Sequence, residues 1–155
     1  SKDKAKARQL LDRMGIADLA KRPIGEVSGG QMQRALLCRA IISEPKLLIL
    51  DEPDSALDFQ NRYLILNILK ELTMMEEKAG ILCLHDPEMA LEFCQQIVVM
   101  KEGKIIDILH PQTDSLERME KALQSIYGNV TLSKCMDRND HTHIVLLWEG
   151  EPCVQ

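Results

Sequence analysis

The sequence predicts an α/β fold, with a mostly parallel sheet, helices packed on it and an antiparallel carboxyl-terminal tail. Three observations carry that prediction. The runs Leu47-Leu48-Ile49-Leu50, Ile81-Leu82-Cys83-Leu84 and Ile97 to Met100 have the length and composition of buried strands. Segments between them place apolar residues three and four positions apart, the period of an amphipathic helix. Late in the chain, two strand-like runs, about Val130 to Met136 and His143 to Trp148, flank the turn-forming Arg138-Asn139-Asp140.

In order, Ala7, Leu10, Leu11 and Met14 share a face of a first helix from Lys2 to Met14, and Gly15 is placed to stop it. A loop with Pro23 and Gly25 leads to Ser28-Gly29-Gly30 and a helix with apolar face Leu36, Leu37, Ala40 and Ile41, closed by Pro45. The strand Leu47 to Leu50 ends at Asp51-Glu52-Pro53. A helix from about Asp58 to about Lys78 turns Leu64, Ile65, Ile68, Leu69 and Leu72 inward, and Gly80 follows it. The second apolar run stops at His85-Asp86-Pro87 and feeds a helix with Met89, Ala90, Phe93 and Cys94 on one side. The third turns at Glu102-Gly103 into Lys104 to Leu109, a hairpin. Leu116, Met119, Leu123 and Ile126 make one more amphipathic helix.

With 155 residues, 45% hydrophobic and 28% charged, the chain has the length and balance of one ordinary globular domain. Its apolar runs fall far below a membrane-spanning length. A net charge of −5 argues against a broad basic surface for nucleic acid. Five cysteines, Cys38, Cys83, Cys94, Cys135 and Cys153, form no C-x-x-C pair and follow no signal peptide, so they read as reduced thiols in a cytosolic protein. His141-x-His143 could share a strand face and hold a metal, but no third ligand is evident nearby and surface strand residues are the simpler reading.

Two segments carry chemistry by residue type alone. Asp51 and Glu52 close an apolar strand, where open α/β sheets place ligands; one carboxylate can hold hydrated Mg²⁺ while its neighbour polarises a water. The plainer reading is a solvated strand end. Val27-Ser28-Gly29-Gly30-Gln31 lets backbone amides and a helix amino terminus approach an anion, or is a plain loop with a serine cap. His85, ending the second apolar strand, reaches the same neighbourhood if the two strands are adjacent.

Taken in order, Val27-Ser28-Gly29-Gly30-Gln31-Met32-Gln33-Arg34, Leu47-Leu48-Ile49-Leu50-Asp51-Glu52-Pro53, Ser55-Ala56-Leu57-Asp58 and Leu84-His85-Asp86 resemble the ATPase subunit of ABC transporters over about residues 5 to 110. The resemblance implies a P-loop NTPase-like ABC ATPase domain that binds ATP and Mg²⁺. Ser28, Gly29, Gly30 and Gln31 would form the family signature, which contacts the γ-phosphate held by the opposite subunit of a head-to-tail homodimer. Asp51 would be the Walker B carboxylate acting on Mg²⁺, Glu52 the general base, and His85 the switch histidine. Ser55 to Asp58 would be the D-loop at the dimer interface, with Asp58 among the nucleotide-contacting residues. Val27 stands where the commonest signature has leucine.

The 155 residues contain no G-x-x-x-x-G-K-[ST] loop. The resemblance therefore implies an incomplete domain, the carboxyl-terminal portion of such a subunit, with residues 1–45 in the helical signature subdomain, 46–110 in the RecA-like core and 111–155 as an extension. The family's phosphate-loop strand would lie between the strand ending at His85 and the one from Ile97, leaving two open edges. The tail around Ser125-Ile126-Tyr127-Gly128 is similar to subunits powering iron-siderophore and vitamin B12 importers, which implies membrane permease partners facing the first helix and a peripheral place on the inner face of the cell membrane. No nucleic-acid partner is expected. This chain alone should not turn over ATP. Two other readings stay open: a non-catalytic module donating its signature to a partner ATPase, and an unrelated α/β interaction domain.

Overall fold

The computed structural model describes residues 2–75 and 78–150. Helices and strands alternate as an α/β fold, in two compact units, residues 1–85 and 86–155. No helix among the described residues is long and apolar enough to cross a membrane.

The first unit holds α1 (Lys2–Arg13), α2 (Gly29–Ile41), β1 (Leu47–Asp51), α3 (Phe59–Met75) and β2 (Ala79–Cys83). Gly15 follows α1 with φ +64°, a left-handed backbone that costs glycine nothing, and so ends the helix. Met14 and Ile16 are buried there, and Arg34 of α2 donates from Nη1 to the Met14 carbonyl at 2.9 Å, tying the two helices together. α3 starts one residue after Asp58, and its buried face is Ile65, Leu66, Ile68, Leu69 and Leu72, with Leu64 half-buried. Residues 76 and 77, which the sequence reading gave to the end of this helix, lie outside the described residues.

β1 and β2 pair in parallel, from Leu47 opposite Ala79 to Asp51 opposite Cys83. Among the described residues parallel pairing is confined to these two strands, so the sheet expected to be mostly parallel is represented there by one parallel pair. The expected full burial of the apolar runs does not hold. Leu48 is buried, but Ile49 is 71% and Ile81 56% exposed. A parallel strand is covered on both faces when helices flank it on both sides; among the described residues of this unit only the Leu48 face of β1 is covered. Leu36, expected inside, is likewise exposed, at the rim of a cavity beside β1.

The second unit holds α4 (Pro87–Phe93), β3 (Ile97–Lys101), β4 (Lys104–Leu109), α5 (Leu116–Tyr127), β5 (Val130–Met136) and β6 (Thr142–Trp148). β3–β4 and β5–β6 are antiparallel hairpins. Leu91, Val99, Leu109, Met119, Ala122, Leu123, Val130 and Leu132 form one buried cluster, joined at its margin by Ile97, Leu116, Ile126, Ile144 and Leu146. Val98 and Met100, alternating with Val99, are exposed. Asp137 shapes the last turn by accepting the N–H groups of Asn139 and His141 at 2.7 and 2.9 Å. α4 receives β6 on two glutamates one helical turn apart: Glu88 accepts the Leu146 N–H at 2.7 Å, and Glu92 meets His143 Nδ1 at 3.0 Å.

Cys83 and Cys135 are exposed, Cys94 is half-buried, and burial pushes the Cys38 thiol up to about 11. Cys153 lies outside the described residues. His141 and His143 both reach Asp137, at 3.4 and 3.6 Å, and no group of three or more metal-ligating side chains occurs among the described residues.

Candidate functional site

Parallel pairing brings the ends of β1 and β2 side by side, and the chemistry-bearing residues follow directly. The Glu52 N–H donates to the Cys83 carbonyl at 3.2 Å, one step past the last strand pair. Two residues beyond Cys83, His85 turns back and its Nε2 lies 2.6 Å from Glu52 Oε1. The imidazole is 80% and the carboxylate 42% exposed, so the pair faces solvent. Its hydrogen bond to Glu52, followed by the charges of Glu52, Asp54 and Asp51, raises the His85 pKa above the ordinary histidine value.

Asp51 lines a cavity of about 120 Å³ together with Gln33, Leu36, Leu37, Ala40, Leu50 and Pro53. The cavity lies between α2 and the end of β1. Asp51 thus borders it while Glu52 meets His85, and the two neighbouring carboxylates are separated in role by geometry.

Glu52 has φ +45°, in the region that favours glycine. For a side chain with a Cβ that conformation costs about 1–2 kcal/mol and persists where surrounding bonds over-determine it. Those bonds are present. The Glu52 carbonyl accepts from Ser55 N–H at 3.2 Å, Ser55 Oγ at 3.1 Å and Gln33 Nε2 at 3.4 Å. Next to it, Asp54 is buried at 6% exposure with Arg62 Nε 3.6 Å away. The sequence reading includes Gln33 in the signature run without a role of its own, and passes over Asp54 and Arg62. Gln33 could have been found from its spacing, since it falls three residues after Gly30 and four before the buried Leu37 on the inward side of α2; for Asp54 the signal was an acid inside the Pro53–Leu57 turn.

Ser28 is the amino-terminal cap of α2: its Oγ accepts the Gln31 N–H at 3.3 Å and the Gln31 side chain accepts the Ser28 N–H at 2.9 Å, a reciprocal capping box. This holds the Gly29 and Gly30 amides at an exposed helix start, where the helix dipole favours an anion. A Cβ on Gly30 would stand 3.1 Å from the Ala56 carbonyl oxygen and 3.3 Å from Leu57, so the bare glycine lets α2 lie against the 55–58 loop. Asp58 caps α3, taking the Asn61 N–H at 2.9 Å, and these bonds with Asn61 lower its pKa below the usual carboxylate range.

The structure therefore brings Asp51, Glu52 and His85 together with Gln33, and sets Ser28 to Gln31 against the loop that leads to Asp58. Asp58 itself is engaged with the backbone and side chain of Asn61. For Mg²⁺ the donor set is suitable: the ion takes one or two carboxylates and completes its shell with water and phosphate oxygens, and Asp51 offers an exposed carboxylate at a strand end.

The profile of the ABC transporter family matches residues 2–55. A phosphonates import ATP-binding protein from Oceanobacillus iheyensis is 39% identical over 132 residues, which are 82% of this chain and 48% of that protein. Among solved structures, a metal-chelate type ABC transporter in an inward-facing conformation superposes with a TM-score of 0.78 at 28% identity, covering 96% of this chain and 59% of that one. A dimeric bacterial ABC transporter cassette superposes at 0.65 and 27% identity, covering 69% of this chain and 46% of that one. The chain spans about half the length of the relatives it matches. On its ordered motifs, its strand-end site and these matches, the chain belongs to the ATP-binding family of ABC transporters.

Proposed function

We propose that this chain is part of the ATP-binding component of an ABC importer, coupling ATP binding and hydrolysis to uptake of an iron-siderophore or similar metal chelate. The observation that carries the reading is the 2.6 Å contact between Glu52 and His85 at the ends of adjacent parallel strands, beside Asp51. Glu52 orients the attacking water and takes its proton as the water oxygen bonds to the γ-phosphorus and the bond to the ADP oxygen breaks. His85, whose pKa its contact with Glu52 raises, offers a donor to the γ-phosphate. Asp51 would hold Mg²⁺, which when bound neutralises phosphate charge. The exposed Ser28 and Gly29, with the half-buried Gly30 and Gln31, meet the nucleotide of a second subunit in a head-to-tail dimer, and Asp58 lies on the loop at that interface. The solved dimeric cassette supports the dimer, and the metal-chelate transporter supports the cargo class. Permease partners would hold the protein on the inner face of the membrane. Residues 1–45 would be the helical signature part, 46–110 the core part and 111–155 an extension.

The test is ATP hydrolysis by the native protein that carries these residues. Glu52→Gln should lower kcat by about 10²-fold or more with ATP still bound; a variant that keeps wild-type turnover overturns the reading. The 155 residues alone should show no turnover above background.

The capping box that presents Gly29 and Gly30 at the start of α2 would also serve a second reading, a module that lends its signature to a partner ATPase. ATP-dependent association with a second ATPase, with turnover insensitive to Glu52→Gln, would select it.

A further inference from the structure

The geometry points to Gln33 as a positioning residue for Glu52, acting through the Glu52 carbonyl and linking the catalytic carboxylate to the helix that begins at Ser28-Gly29-Gly30. The inference rests on the reading of Glu52 as general base.

Three observations converge on it. Glu52 sits in left-handed backbone, which a glutamate holds only under constraint. Its carbonyl accepts from three donors, and two of them, the N–H and Oγ of Ser55, belong to the same tight turn. The third, Gln33 Nε2 at 3.4 Å, comes from α2. Bonds made inside a turn move with it, whereas a bond from another element fixes the turn relative to that element. The orientation of the peptide plane sets the direction of the Glu52 side chain, and that direction brings Oε1 to 2.6 Å from His85. Gln33 also lines the cavity that Asp51 borders, so one side chain serves that cavity and the Glu52 carbonyl. Gln33 lies two positions after Gln31 in α2, and the helix start can therefore bear on Glu52 within one subunit without touching its carboxylate.

The experiment follows the His85 imidazole by NMR titration in the full chain, in wild type, Gln33→Met and Leu36→Ala. Gln33→Met keeps the bulk and removes the donor. Leu36→Ala opens the same cavity and leaves the donor in place. Gln33→Met should move the His85 midpoint down toward an ordinary histidine, because Glu52 is no longer held against the ring, while Leu36→Ala should leave it where it is. Gln33→Ala serves if the methionine variant does not fold. In the native protein, kcat should fall about threefold to tenfold with KM for ATP unchanged, the size expected for one hydrogen bond felt in the transition state.

An unmoved His85 midpoint in the Gln33 variants overturns the inference. So does an equal drop in Leu36→Ala, which would make the effect one of packing. If Glu52→Gln leaves hydrolysis intact, the functional reading fails on its own, and the His85 titration still reports whether Gln33 holds Glu52.

Discussion

The two compact units solve the problem of a small sheet differently. In the second unit, Val130 and Leu132 of β5 face α5, and with Met119 and Leu109 they close one buried cluster. The hairpin is then fastened to α4 by Glu88 and Glu92. In the first unit, β1 and β2 bury one face and leave Ile49 and Ile81 in solvent, yet this is the unit that carries Asp51, Glu52 and His85. The unit with the tidier core has a hairpin and a latch; the unit with the half-covered sheet has a strained glutamate and an exposed ion pair. Strand ends that serve a ligand must stay open and polar, and their order comes from a few directed bonds rather than from burial.

The largest effect expected from this contrast is in the second unit. Met119 is 1% exposed within the cluster, and Met119→Ala should cost about 2–5 kcal/mol by lost burial and a residual cavity. Urea unfolding followed by circular dichroism measures it. A cost below about 1 kcal/mol would mean the cluster is looser than its burial indicates.

Two serine caps sharpen the comparison at a smaller scale. Ser28 caps α2 and Ser115 caps α5, each accepting the N–H of the residue three positions on, at 3.3 Å. Ser28→Ala and Ser115→Ala should each cost about 1 kcal/mol. On the proposed function only the first should also weaken ATP-dependent pairing of subunits, read by size-exclusion chromatography with the Glu52→Gln protein and ATP. Equal loss of pairing in both would remove Ser28 from the nucleotide site.

A third prediction uses pH. The hydrogen bond to Glu92, then its charge and the contact with Asp137, hold the His143 pKa above the ordinary value. Stability from that raised pKa is fully present below about 6.5, the unfolded value, and is lost as pH rises through the folded one. Asp137 is held down to about 2, first by the His141 and Asn139 N–H groups, so its contribution is present above about 3.9 and lost as pH falls toward 2. The β5–β6 hairpin should therefore be most firmly docked between about pH 4 and 6.5. Amide exchange at Leu146 reports it, and His143→Gln should flatten the alkaline limb alone. Exchange in that variant that still climbs as pH rises above about 6.5, as in wild type, would contradict the assignment.

Much of this arrangement was legible in the chain. Ser28 with Gln31 three residues later is a capping-box pattern, and the helix begins there. Glu102-Gly103 marked the β3–β4 turn, and Gly103 takes φ +73°. Adjacent apolar runs ending in Asp51-Glu52 and in His85 gave the strand-end site, because a parallel register aligns carboxyl ends. What escaped is what has no pattern of its own. The spacing of Gln33 turns it inward, but its partner, the Glu52 carbonyl, is a backbone group that no residue type announces. Ile49 and Leu48 look alike in sequence, and only the side on which a helix packs decides which of them is covered. Leu36 has the right period for the α2 core but lies at the edge of its apolar stripe, where burial depends on a neighbour rather than on the helix.

The smallest effect tests the contrast most directly. Ile49 is 71% exposed, so Ile49→Thr removes little buried surface and keeps a β-branched residue suited to a strand. For these 155 residues the substitution should change stability by less than about 0.5 kcal/mol, while raising solubility by breaking an apolar patch on a two-stranded sheet. Urea midpoints and static light scattering measure the two quantities. If the same substitution costs about 2 kcal/mol or more in the native protein, the size expected for a fully buried aliphatic side chain, that face is covered there. The half-open sheet would then be a face that another part of the native protein covers, and the contrast between the units would be one of completeness rather than of design.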